Sequence, residues 1–371
     1  MTTPITRLER IKGSDPHMQL LKSAAAVVAT LLIALPVAPA TPLLAATPTT
    51  ASGFHVKDQW NIGGAGGWGF LSLDPVRHQL FIPRTNRITV VDTATGKPLG
   101  EINGMSSLRD LALDDSGKYG YATDVTDGTA GFVRVFDRST YKLVASIPTS
   151  PIPFAIAFDS ATKLVFAFSS RAHNATVIDT ATNQAVATIA LEGRPDSAIG
   201  DGKGSIFVAL PVQGVIQRID AASKKVAASW PLAPCTGPAN LAIDTLHHQL
   251  FTTCEDHKLV AVNADTGHLA IIGNSPSSVG DLDFDPRTGM LRLADPAGSL
   301  TVFRRSSPLR YTMLWSVKTE PGARTMVVNH DTGNAYLVTA KFGLNYTTAS
   351  EELHYRPTPV PGTFEVIVVG R

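Results

Sequence analysis

The chain has 371 residues, with 32 Lys and Arg against 31 Asp and Glu, so its formal charge is +1. That balance excludes a polybasic nucleic-acid coat and an acidic disordered tail, and 2 Cys exclude a disulfide-stapled mini-fold or a cysteine-rich metal protein. With 30 Gly, 25 Pro and only 17% charged residues, the composition fits a turn-dense all-β chain, long enough for two ordinary domains or one repeat architecture.

Arg7, Arg10, Lys12 and Lys22 precede the uncharged run AAAVVATLLIAL at 24–35, which Pro36 ends. A dozen apolar residues fall short of the roughly 20 that cross a bilayer as a helix. Small residues follow, and basic, then apolar, then small is the order of a secretory signal peptide. Residues 1–45 are therefore expected to be a signal peptide, cleaved near Ala40 or Ala45, with Met18 as an alternative start; an uncleaved membrane anchor is the competing reading. Residues 46–53 read as a linker. The mature chain is expected in the periplasm or outside the cell, with no integral membrane span after cleavage.

From residue 54 a single unit recurs. The segments LSLD (71–74), LALD (111–114), IAFD (156–159), AIGD (198–201), LAID (241–244), LDFD (282–285) and MVVN (326–329) end on Asp or Asn at intervals of 40 to 45 residues. A second marker follows each of the first five about 20 residues later: VVDTATGK (90–97), VFDRSTYK (135–142), VIDTATNQ (177–184), RIDAASKK (218–225) and AVNADTGH (261–268). Each unit reads as four short strands separated by tight turns, rich in Val, Ile and Phe. The recurring Asp and Asn have a structural task, because their oxygens accept turn N–H groups that otherwise lack partners. Gly96 and Gly267 are placed where the turn between strands three and four needs positive φ. Seven such units are the arithmetic of a seven-bladed β-propeller of four-stranded blades. FEVIVV (364–369) is a third strand with no fourth after it, and FHVKDQWNI (54–62) is an unattached fourth. Their pairing is expected to close the ring and hide its open edges.

The apolar run, Asp, LF and V-V-D-T-A-T-G-K pattern resembles the YVTN-type repeat of YncE-like bacterial β-propellers over residues 54–371. The resemblance implies a periplasmic or surface propeller that binds a ligand or partner; some relatives bind nucleic acid, and distant ones carry redox cofactors or lactonase sites. Blade 6 departs from the pattern, since VFRRSSPL (302–309) lacks both the Asp and the TG turn. Blade 7 departs too, with a long segment, 341–362, between its second and third strands.

Counting back from each anchoring Asp locates the mouth of the central channel. It gathers Arg109, Asp110, Phe154, Asp196, Asn240, Asp281 and Arg324. One expectation is that these charges pair with one another; the sharper one is a pocket where Arg109 and Arg324 hold an anion. Loops between strands two and three add His173 and His257, and the insertion adds Lys341 and Tyr346 as a lid or partner surface. Residues 63–67, GGAGG, lack the Lys-Ser/Thr ending and following helix of a phosphate loop; they let the chain pass into blade 1, beside Trp68 as a stacking surface.

Cys235 and Cys254 flank blade 5. Pairing about Asp244 and Gln249 sets Cys254 opposite Ala239 and leaves Cys235 farther out at the same end, where a curl of the loop brings the thiols together as a disulfide. The sequence carries no nucleophile–base pair, no metal-ligand spacing and no cofactor motif. The expected function is a non-catalytic, monomeric binding protein without cofactor or metal, for a small molecule or an envelope protein. The alternatives are a channel-centred hydrolase or lyase of lactonase type, and single-stranded nucleic-acid binding, which the +1 charge argues against.

Overall fold

The computed structural model of the chain describes residues 53–276, 280–346 and 355–371. The expected signal peptide and most of the linker lie outside the described residues. What is described forms seven four-stranded antiparallel sheets and one two-stranded hairpin, a seven-bladed β-propeller. Among the described residues no helix is long and apolar enough to cross a membrane.

Blade 1 shows the common order: an inner strand Ser72–Asp74, then Gln79–Arg84, Arg87–Asp92 and the outer strand Pro98–Ile102. Blade 7 is assembled from both ends of the ring. Its strands run Thr325–Val328, Ala335–Thr339, Glu365–Gly370 and, outermost, His55–Asn61, which pairs antiparallel with Glu365–Gly370 from His55 opposite Gly370 to Asn61 opposite Glu365. The expected closure is present.

The core is divided among the joints between blades. Seven apolar clusters each span two neighbouring blades. At the closing joint Leu71, Leu80 and Ile82 of blade 1 pack with Tyr336, Val338, Phe364 and Val366 of blade 7. Burying such side chains stabilises by about 1.5–3 kcal/mol each, and no blade can do it alone.

The anchoring Asp residues cap their turns. Asp74 accepts the N–H groups of Val76 and Arg77, both at 3.1 Å, and Asn329 those of Asp331 at 2.9 Å and Thr332 at 3.2 Å. At the other turn, Asp92 accepts Ala94 at 2.7 Å and Thr95 at 2.9 Å, and Asp179 does the same for Ala181 and Thr182. Gly96 and Gly267 have φ of 70° and 73°.

The structure corrects one detail of blade 5. Asn240 forms a bulge with φ of 31°, so Ala239 faces Thr253 and not Cys254. Cys235 and Cys254 are joined by a disulfide with Cα atoms 5.4 Å apart, and both are buried in the joint between blades 4 and 5. This bond closes a 19-residue separation. Breaking it by Cys254→Ser is expected to cost about 3 kcal/mol in denaturant unfolding. Oxidised native protein is expected to show no titratable thiol, and two titratable thiols would contradict the bond.

Candidate functional site

Strand entry at the loop face is built on close approach. A Cβ on Gly69 would lie 1.9 Å from the Arg109 carbonyl oxygen, so only glycine lets blade 1 come this near blade 2; Phe70 N–H donates to that same oxygen at 3.1 Å. The equivalent joint between blades 6 and 7 repeats the device, with a Gly280 Cβ falling 2.3 Å from the Arg324 oxygen. Both arginines are thereby seated by backbone contact while their side chains stay exposed. Among the described residues neither makes an ion pair.

Arg109 and Arg324 share a cavity of about 530 Å³ that crosses the mouth from blade 6 to blade 2. Trp68, Thr85, Ser107, Pro296 and Phe342 also line it, and among the described residues no carboxylate does. Trp68 tilts against Phe364 at 5.5 Å and Phe342 at 6.0 Å, and Phe342 remains 44% exposed. Phe342 belongs to the hairpin Phe342–Tyr346 and Tyr355–Pro359. The expected long loop of blade 7 is therefore partly a paired arm whose base forms one wall.

Arg84 stands behind this wall and escaped the sequence reading. It is 1% exposed, lies 3.6 Å over the Phe364 ring, and donates to the carbonyls of Gly63, Ala65, Gly66 and Gly67 at 3.0–3.3 Å. The glycine-rich turn is a carbonyl nest around a cation, which is why it suits no phosphate. Among the described residues no carboxylate pairs with Arg84; burial, with the nearby charge of Arg87, lowers its pKa to about 10. Its charge adds to the positive potential behind the mouth.

The carboxylates lie deeper, in a channel pocket of about 400 Å³ lined by Phe70, Asp110, Asp196, Asn240 and Asp281 among others. Here the expected pairing of mouth charges is corrected. Asp110 accepts Leu111 N–H at 2.8 Å and reaches blade 3 at Ile156 N–H, 3.1 Å away. Asp281 repeats this with Leu282 at 2.9 Å and Met326 of blade 7 at 2.9 Å. These side chains tie blade to blade, and among the described residues neither meets an arginine. Their oxygens open only onto a narrow channel, and this desolvation raises Asp110 to about 7 and Asp281 to about 8, with each one's N–H partners opposing the rise. Asp196 is raised by burial against the charge of Arg194. Among the described residues no three His, Cys, Asp or Glu gather as a metal cluster.

The remaining expected residues do not converge. Phe154 packs against the core of blades 3 and 4. His173 and His257 are exposed turn residues with φ of 51° and 64°, and neither lines the cavity. Lys341 sits at the base of the hairpin, its N–H bonded to Thr363 Oγ1 at 3.0 Å. Tyr346 pairs with Tyr355 along the arm, and its side chain lies outside the described residues.

Fold and mouth together define a seven-bladed propeller with a cationic, carboxylate-free cavity at its loop face. No family model and no curated protein sequence matches the chain. Among solved structures, the hydrazine synthase of Kuenenia stuttgartiensis is similar with a TM-score of 0.64 at 18% identity, over 74% of this chain and 92% of that one. U3-55K is similar at 0.67 and 10% identity, over 85% and 98%. A chain of the mitotic checkpoint complex is similar at 0.65 and 12% identity, over 84% and 95%. At these identities the likeness is one of fold.

The channel acids yield a pH prediction. Unfolded, they ionise near the ordinary 3.8; folded, only near 7 and 8. Between those limits the unfolded chain has released protons that the ring retains, so stability falls as pH rises and levels off above about pH 8. The melting temperature is expected to be lower at about pH 8.5 than at about pH 5, and Asp281→Asn to shrink that drop. An unchanged pH dependence in Asp281→Asn would contradict the assignment.

Proposed function

We propose that the chain is an exported, non-catalytic binding propeller of the YVTN-type, YncE-like kind, and that it holds an anionic ligand at its mouth, free or presented by an envelope protein. The observation that carries this reading is the cavity itself: two guanidinium groups without ion pairs, aromatic walls from Trp68 and Phe342, and no carboxylate in the lining. A guanidinium donates in a fixed fork that matches carboxylate or phosphate, and the two ion-pair-free groups stand ready for such a partner.

Export is supported by the basic, apolar, small order of residues 1–45 and by the Cys235–Cys254 disulfide, which suits an oxidising compartment. The repeat pattern supports the family. A channel-centred hydrolase draws little from Asp110 and Asp281, whose carboxyls serve as clamps between strands.

A panel of carboxylates and their matching amides, titrated by calorimetry, tests the reading. A carboxylate that binds is expected to outbind its amide, and Arg109→Ala or Arg324→Ala to weaken it roughly tenfold, as loss of one charge-assisted hydrogen bond implies. Equal binding by acid and amide, or unchanged affinity in both variants, would sink the anion role.

A further inference from the structure

Blade 6 differs from its neighbours at the turn between its third and fourth strands, on the face opposite the mouth. In blades 1 to 5 the residue ending the third strand is Asp or Asn, as Asp92 opposite Gln79 and Asn263 opposite Gln249. In blade 6 the same position, opposite Met290, is Arg304. Without a capping oxygen the turn does not close there. Strands Ser299–Ser307 and Arg310–Lys318 run nine residues each, and the pairing continues to Ser307 opposite Arg310, with Leu309 at φ of 61°. The overhanging hairpin and the turns of blade 5 enclose a cavity of about 520 Å³.

We propose that this cavity is a second anion site that takes the phosphate group of a small phosphate ester. Its lining includes Arg305, His247, His268 and Ser307, and no carboxylate. The nearby acids are already engaged: Asp244 is fully buried and bonded to Arg305 and His247, and Asp265 pairs with His248 at 3.1 Å. Arg305 meets Asp244 and His247 Nδ1 through Nη1 and has Tyr311 beside it, which leaves part of its five N–H groups for a ligand. His247 spends Nδ1 between Asp244 at 2.8 Å and Arg305 Nη1 at 2.9 Å, so its Nε2 is the atom that faces no internal partner. The side chains of His268 and Ser307 have no partner among the described residues. Arg305, His268 and Ser307 thus bring free donors from three separate side chains, and a three-oxygen dianion can accept from all of them. Arg304 and Arg310 are exposed at either side of the hairpin turn and add charge. Gln249 and Asn263 amides with Pro308 and Leu309 complete the lining and suit a polar body larger than the bare ion.

The test is calorimetric titration of the full chain, in an Arg109→Ala/Arg324→Ala background so that the mouth contributes nothing. Inorganic phosphate and glucose 6-phosphate are expected to bind saturably, the ester more tightly, while glucose does not bind. His268→Ala and Ser307→Ala, which disturb no internal bond, are expected to leave thermal unfolding unchanged and to weaken both by roughly tenfold. Absence of saturable phosphate binding, or affinity untouched by both substitutions, would overturn the site. Phosphate binding as tightly as its ester would overturn the assignment to an ester.

Discussion

The contact on which the rest of the ring depends is the pairing of His55–Asn61 with Glu365–Gly370. Every apolar cluster in the described residues joins two blades, so each blade is stable only between neighbours. The seventh joint exists because the chain's first described strand is the outer strand of its last blade. Arg84 secures the same seam from inside, gripping four carbonyls of the turn that leaves the closing strand and stacking on Phe364. The mouth cavity straddles this seam, with Trp68 and Thr85 from blade 1 and Gly322, Arg324 and Phe342 from blade 7. Closure and the site are therefore built from the same stretch of chain.

Inside the ring, two classes of acidic residue divide the work. Asp and Asn at the turns accept backbone N–H groups at the ends of the blades; those that close the inner strands are buried, and Asp159 also accepts Gly204 N–H of the next blade at 3.0 Å. Asp110 and Asp281 do so across blades and in the channel, where desolvation raises them to about 7 and about 8. Their oxygens are spent on backbone N–H groups, which fits the exposed state of Arg109 and Arg324 at the mouth.

The ring was legible in the sequence because its signals are local. Asp or Asn every 40 to 45 residues must cap a turn, and FEVIVV without a fourth strand must find one elsewhere. The mouth was half legible. Counting from Asp114 and Asn329 gave the depth of Arg109 and Arg324 but not their direction, and so merged them with Asp110 and Asp281, which face the channel. Asn240 slipped the register of blade 5 because a bulge adds a residue that no alternation reveals. Phe342 and Arg84 escaped for another reason: one acts through a hairpin arm, the other through carbonyls that carry no side-chain signature. Gly69 and Gly280, at one repeat position before Phe70 and Asp281, carry in the structure the close approaches that seat the two arginines.

The central claim is that the mouth cavity, and not the channel, holds the ligand. An experimental structure of the mature protein purified from its native compartment, with no ligand added, tests it most directly. The account predicts an ordered anion in contact with Arg109 and Arg324 beside Trp68 and Phe342. Density for a ligand or metal among Asp110, Asp196 and Asp281, with the arginine cavity holding only solvent, would contradict it.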